Sequence, residues 1–159
     1  MARFKITKEV QARLDDVFEL FSDIPKTAER VGGVERVEVL TEGPVRAGTR
    51  WRETRIIFKR EATEELEITS LEPNKSYAVE GESCGIRHHT EFRFTGRGDR
   101  TLVEVEFTSR PLTLWAKMTS PLAWLMMGAA KRCVDQDLED LKAFIEAGGD
   151  NHLCVETES

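Results

Sequence analysis

The stretch from Ser120 to Gly149, SPLAWLMMGAAKRCVDQDLEDLKAFIEAGG, decides the fold. Ala123, Met127, Ala130, Val134, Leu138, Leu141 and Ile145 recur at steps of three and four, the period of a helix with one apolar face. Ser120-Pro121 is a favourable helix start and Gly148-Gly149 a favourable stop, so the spacing predicts a single helix about six turns long. A helix with one apolar stripe must bury that stripe against another layer. The preceding chain supplies a sheet. Gly48–Lys59, Ala62–Leu71, Ser76–Ser83, Ile86–Thr95 and Thr101–Ser109 read as strands, and from Val34 the period is also two, with Val37 and Val39 opposite Arg36 and Glu38. Glu42-Gly43-Pro44, Pro73-Asn74-Lys75, Cys84-Gly85 and Gly96-Arg97-Gly98-Asp99 punctuate them with turn chemistry. Strands joined by tight turns pair antiparallel.

At the other end of the chain, Phe4 to Val10 alternates as one more strand. Leu14, Val17, Phe18 and Phe21 then recur at helical spacing up to Pro25, and Lys26 to Val31 forms a second short helix before Gly32-Gly33. The order is one strand, two short helices, six strands and one long helix. That is an α+β domain over residues 1–148, followed by a polar tail, 149–159, expected to be disordered.

The composition fits this reading and removes others. At 159 residues, with 40% hydrophobic and 33% charged residues, the chain is globular and of single-domain size. Lys plus Arg is 23 against 29 for Asp plus Glu, a net charge of −6, which excludes nucleic acid as the main partner. Cys84, Cys133 and Cys154 are odd in number and far apart, and Met1-Ala2-Arg3-Phe4-Lys5 opens no apolar leader, so free thiols in the cytoplasm are expected. Pro111 to Ala130 is rich in Leu, Trp and Met, but Lys117 and Pro121 interrupt it. A spanning helix needs about 20 mostly apolar residues, so no transmembrane segment is expected.

Several phrases stand out in order along the chain: Asp16-Val17-Phe18-Glu19-Leu20-Phe21-Ser22-Asp23-Ile24, Gly48-Thr49-Arg50-Trp51, Leu71-Glu72-Pro73-Asn74-Lys75, Asp99-Arg100-Thr101-Leu102-Val103 and Leu138-Glu139-Asp140-Leu141-Lys142. Together, from about Phe4 to Ala147, they resemble the START-like (SRPBCC) superfamily of polyketide cyclase/dehydrase and lipid transport proteins. The resemblance implies a helix-grip fold, a curved seven-stranded antiparallel sheet holding the long C-terminal helix. It also implies a cavity for lipids, sterols, hormones or polyketides and no cofactor. Only some members are enzymes, so what it implies is a cavity rather than a reaction.

Two motif matches carry no chemistry. Gly81-Glu82-Ser83-Cys84-Gly85 has the G-x-S-x-G pattern, whose reactive serine needs a strand, a strained turn and a helix. Strand-like residues follow it here, so it reads as a hairpin turn and no hydrolase is expected. His88 and His89 are adjacent on a strand and point to opposite faces, while Cys84 and His88 lie about 13 Å apart along it, so no metal site is expected.

The sharper signal is in the third strand. If Trp51 and Ile57 face inward, alternation puts Glu53 and Arg55 on the same face, where a charge is costly unless paired or solvated. A ligand cavity makes them polar handles; a β-bulge would instead turn them to solvent. The same phasing turns Tyr77, His88, Thr90 and Phe92 inward. Trp124 and Met127, with Trp115, Met118 and Met126, either pack the core or line a pocket mouth. The expected ligand-binding set is Trp51, Glu53, Arg55, Tyr77, His88, Phe92, Trp124 and Met127. Arg55 is expected to pair with Glu53, Glu64 or another carboxylate; in a wet cavity, Arg55→Leu is expected to leave the fold largely intact but to abolish binding of a ligand carrying a carboxylate or phenolate.

Three functions are compatible with these residues. One is binding of a hydrophobic small molecule between the sheet and the last helix. Another is a cyclase- or dehydratase-like enzyme in which Glu53 or His88 abstracts a proton and Arg55 or Tyr77 stabilises the enolate, which requires Glu53 and His88 to converge. The third is a module docking a membrane, a protein or a second copy as a homodimer through Pro111–Met127.

Overall fold

The computed structural model describes residues 2–83, 85–112 and 120–148, with the side chains of all but 120–124. The elements are β1 (Ala2–Val10), α1 (Leu14–Ser22), a 3-10 turn (Ile24–Lys26), α2 (Thr27–Arg30), β2 (Val34–Val39), β3 (Arg50–Ile57), β4 (Arg60–Glu72), β5 (Ser76–Ser83), β6 (Ile86–Arg97), β7 (Arg100–Pro111) and α3 (Ser120–Glu146). This is the expected order, and the fold is the helix grip. All seven strands form one antiparallel sheet in the order β1-β7-β6-β5-β4-β3-β2. Because β1 and β2 lie at opposite edges, the chain between them must cross the width of the sheet. α1 and α2 make that crossing, and Phe18 and Phe21 of α1 pack edge-on against Phe94 of β6. The expected tail 149–159, Cys84, Cys154, Trp115 and Met118 lie outside the described residues, while Cys133 is a free, half-buried thiol.

Several strand limits differ from the expected ones by one or two residues, and at one of them the turn is informative. The strand expected to run to Lys59 ends at Ile57, and the β3–β4 turn is Phe58-Lys59, both residues left-handed at φ 51° and 64°. No Gly, Asn or Pro marks that turn in the sequence.

Register decides which side chains share the inner face. Trp51 stands opposite Leu66, Leu66 opposite Gly81, Gly81 opposite His88 and His88 opposite Ser109. A second row runs from Ile68 through Val79 and Thr90 to Phe107 and Phe4. Register shifts occur in β2, between Val34 and Arg36, and in β4, between Ile68 and Ser70. The β3–β4 pairing is unbroken from Arg50 to Ile57, so Trp51, Glu53 and Arg55 share the face that also carries Leu66. Val10, Ile68, Val103 and Val105 are fully buried there and make the centre of the core.

In the C-terminal half of the α3 stripe Leu138 is 1% exposed, and Val134, Leu141, Phe144 and Ile145 pack against the core around it. Earlier on the stripe Met127 and Ala130 are half-buried, and off it Leu125 and Met126 are exposed. Charged ties hold that half down. Lys8 of β1 reaches Asp135 at 2.9 Å and Glu139 at 2.7 Å, and hydrogen bonding to Glu139, then to Asp135, raises its pKa. Arg55 of β3 donates to both oxygens of Asp137, at 3.0 and 2.6 Å. The Gly32 N–H donates to Asp140 at 2.9 Å, and the Arg30 guanidinium lies 5.2 Å over the Phe144 ring. Arg55 therefore ties the sheet to the helix.

Two stability outcomes follow from this packing. Leu138→Ala removes a fully buried side chain from a site ringed by half-buried ones, and denaturant unfolding should show a loss of about 2–4 kcal/mol. Asp137→Ala should cost less, roughly 1–3 kcal/mol, because both partners of the pair keep some exposure to water. In a double-mutant cycle, Arg55→Leu with Asp137→Leu should lose less than the sum of the two single changes. Additive losses would show that the pair does not hold the helix.

Candidate functional site

Alternation along β3 delivers a polar strip to a face that is otherwise apolar. Glu53 is buried, and both of its oxygens are engaged: the Trp51 indole N–H donates to one at 3.3 Å and the Arg55 Nε–H to the other at 2.6 Å. Arg55 thus bridges Glu53 and Asp137. Burial alone would lower its pKa, but the hydrogen bonds and charge of Asp137, then those of Glu53, outweigh burial and raise it. For Asp137 burial is the larger effect and pushes the carboxyl up, with Arg55 pulling the other way.

Directly opposite Glu53, on β4, stands Glu64. Two carboxylates facing each other across a strand pair repel, and each here has its own partner. Arg55 holds Glu53, and His88 Nε2 is in hydrogen-bond contact with Glu64 Oε1. His88 is on β6, so its imidazole has to pass over β5 to reach β4. Gly81 is the residue beneath it. A Cβ at that position would come within 2.8 Å of His88 Cε1 and 2.5 Å of Leu66 Cδ2, so a glycine is required for this crossing. The far side of the ring stacks on Phe107, with centroids 5.7 Å apart. Nε2 faces the carboxylate, and Nδ1 is the ring nitrogen left over. Nδ1 is buried and has no hydrogen-bond partner.

The strip is acceptor-rich. Glu53, Glu64 and Asp137 bring three carboxylates against one guanidinium and one imidazole. It is also unsealed, since the side chains of His88 and Glu64 keep 18% and 27% of their exposure although both face inward.

The other expected site residues divide. Tyr77 is buried, stacks on Phe92 at 4.6 Å, and donates its hydroxyl to the Phe21 carbonyl at 3.1 Å. Burial, then the charge of Glu53, raises its pKa, so this is a neutral, committed hydroxyl. Phe92 and Met127 are half-buried, and the side chain of Trp124 lies outside the described residues. Glu53 is directed to Trp51 and Arg55, and the carboxylate that reaches His88 is Glu64. His89 is on the opposite face with Glu80 at 3.1 Å. Among the described residues no three His, Cys, Asp or Glu side chains are grouped as a metal site. Gly81, Glu82 and Ser83 belong to β5, Gly85 at φ 73° precedes β6, and the element that follows is a strand rather than a helix.

Sequence reasoning missed Asp137, Gly81 and Phe107 as parts of the strip. A glycine inside a strand pattern was the available signal, since it marks a close approach.

No curated protein matches this chain. Solved structures match it over most of its length at low identity, which speaks to the fold alone. Ara h 8.0201 is 11% identical with a TM-score of 0.75, covering 92% of this chain and 98% of its own. The Zhui aromatase/cyclase from a Streptomyces species is 20% identical with a TM-score of 0.74, covering 91% and 93%. A START superfamily protein from Mycobacterium smegmatis is 15% identical with a TM-score of 0.69, covering 86% and 94%. The profile of one family matches residues 1–146, almost the whole described domain. The chain belongs to the polyketide cyclase/dehydrase and lipid transport family.

Proposed function

We propose that the protein binds an apolar small molecule between the inner face of the sheet and α3, with a neutral hydrogen-bond-donating group of that molecule on His88 Nδ1. The observation that carries this reading is the buried, unpartnered Nδ1 on an inner face left partly open. A buried polar atom without a partner costs about 1–3 kcal/mol, a deficit that a ligand donor removes. The apolar surroundings, Phe107, Thr90 and Phe92, suit a ring or chain. The acceptor excess argues for a hydroxyl or phenol rather than the acidic ligand expected for Arg55, whose guanidinium is already shared by two carboxylates. Membership of a family named for polyketide cyclases and lipid transport supports ligands of this kind. The unpaired Cys133 and the net charge of −6 fit a cytoplasmic protein without a nucleic-acid partner.

A second reading rests on the Glu64–His88 contact. A carboxylate that orients an imidazole makes its other nitrogen a positioned base, and Nδ1 would take a proton from a carbon beside a carbonyl in a cyclase- or dehydratase-like step. Here His88 is the base, and the carboxylate beside it is Glu64 rather than Glu53.

Matched probes separate these cases. Quenching of tryptophan fluorescence should show 1-naphthol binding at least about tenfold more tightly than 1-naphthoate. His88→Phe, which keeps a ring against Phe107, should weaken 1-naphthol by about tenfold with little change in thermal midpoint. Equal affinities for the two probes, or a His88→Phe variant that binds as before, would refute the binding reading. For the second reading, NMR in heavy water should show exchange of the α-protons of a 1,3-diketone that His88→Phe abolishes. No exchange above the buffer rate leaves binding alone.

A further inference from the structure

The strand ends divide the sheet into two rims. At one of them β3 ends and β4 begins at Ile57 and Arg60, β5 ends and β6 begins at Ser83 and Ile86, and β7 ends at Pro111. The start of α3 belongs to this rim, because its far end reaches the opposite one, where Glu146 accepts from the Gln11 N–H at 2.9 Å. Large exposed apolar residues concentrate here. Ile56, Phe58, Leu112, Leu125 and Met126 are five of the seven such residues described.

Phe58 is the most exposed of them, at 65%, and it occupies an unfavourable position. A two-residue hairpin with both residues left-handed is normally Asn-Gly. Phe58-Lys59 at φ 51° and 64° stores strain instead, so neither folding nor packing accounts for an aromatic at this tip. Cations accompany it. Lys59 and Arg60 belong to the tip, and further along the sheet, beside the β5–β6 hairpin, Arg87 and Arg110 face each other across β6 and β7, an opposition of like charges. Of the nearby acids, Glu61 is paired with Arg36 and Glu82 with Arg87, while no ion pair joins Lys59, Arg60 or Arg110 among the described residues. This rim is cationic in a chain whose net charge is −6.

We propose that this rim docks on an anionic lipid bilayer, with Phe58 and Ile56 entering the interface and Lys59, Arg60, Arg87 and Arg110 meeting lipid phosphates. Protruding apolar tips backed by cations are the requirement for interfacial binding. The acidic remainder of the protein is repelled by the same surface, which orients the molecule rim-first. A second copy docked through this rim would set its cations against each other. The inference goes beyond ligand binding and is read out without any ligand.

The test is co-sedimentation of the full chain with extruded vesicles of phosphatidylcholine, with and without about 30% phosphatidylglycerol. Binding is expected to the anionic vesicles, to be much weaker to the neutral ones, and to fall as salt rises. Phe58→Asn should lower the partition coefficient by about tenfold while keeping or raising the thermal midpoint, because Asn tolerates the left-handed region. Arg60→Glu with Arg110→Glu should also release the protein. Equal binding to both vesicles, no binding to either, or an undiminished Phe58→Asn variant would overturn the proposal. Self-association on gel filtration that Phe58→Asn removes would mean instead that the rim joins copies of this chain.

Discussion

A guanidinium can close two parallel bonds on one carboxylate and still have an N–H for another, and Arg55 uses its donors in that way. Two go to Asp137 on α3 and one to Glu53 on its own strand. The consequence is geometric. α3 is fixed to the sheet at Asp137, beside the buried Leu138, while Lys8 holds Asp135 and Glu139 from the other side. Beyond that point Leu138, Leu141, Phe144 and Ile145 pack on the core, and before it Leu125 and Met126 are exposed. The polar strip is built on that tie.

The polar strip persists on this face because each charge in it has a partner. Glu53 and Glu64 face each other, with Arg55 holding the first and His88 the second. His88 could not reach Glu64 across β5 unless position 81 lacked a side chain. Among the described residues, Nδ1 of His88 is the buried side-chain polar atom left without a partner. A packed apolar core would have been the simpler solution for stability, since replacing paired buried charges with well-packed apolar groups is often neutral or stabilising.

Much of this architecture was legible in the sequence, for a physical reason. Strand side chains alternate with period two, so once Trp51 is assigned inward, Glu53 and Arg55 follow, and the unbroken β3–β4 register preserves that assignment. The helix stripe likewise included Leu138, which is fully buried. What alternation cannot supply is the partner across space. Asp137 is adjacent to the stripe rather than in it, and it meets Arg55 only because β3 lies under that part of α3. Gly81 looked like half of a turn because Gly85 follows so closely, although it sits inside β5 opposite His88. The Phe58-Lys59 turn escaped because its residues are not those that the left-handed region favours.

The strained tip and the unsealed face are also related in space. Counting back from the rim, Arg55 lies two residues inside the end of β3, Glu64 four inside the start of β4, and His88 two inside the start of β6. A β-strand rises roughly 3.3 Å per residue, so the acceptor strip is within about 14 Å of the rim on every strand that contributes to it. An apolar molecule leaving a bilayer docked at this rim would cover that distance along side chains of the sheet and α3. The opposite rim offers no such route, because Val10, Val103 and Leu138 close the inner face there. Among the described residues, then, the order of features from the rim inward is apolar tip, cations, acceptor strip and closed core. That order matches what an amphipathic ligand would meet in sequence, its apolar body first accommodated and its polar group last.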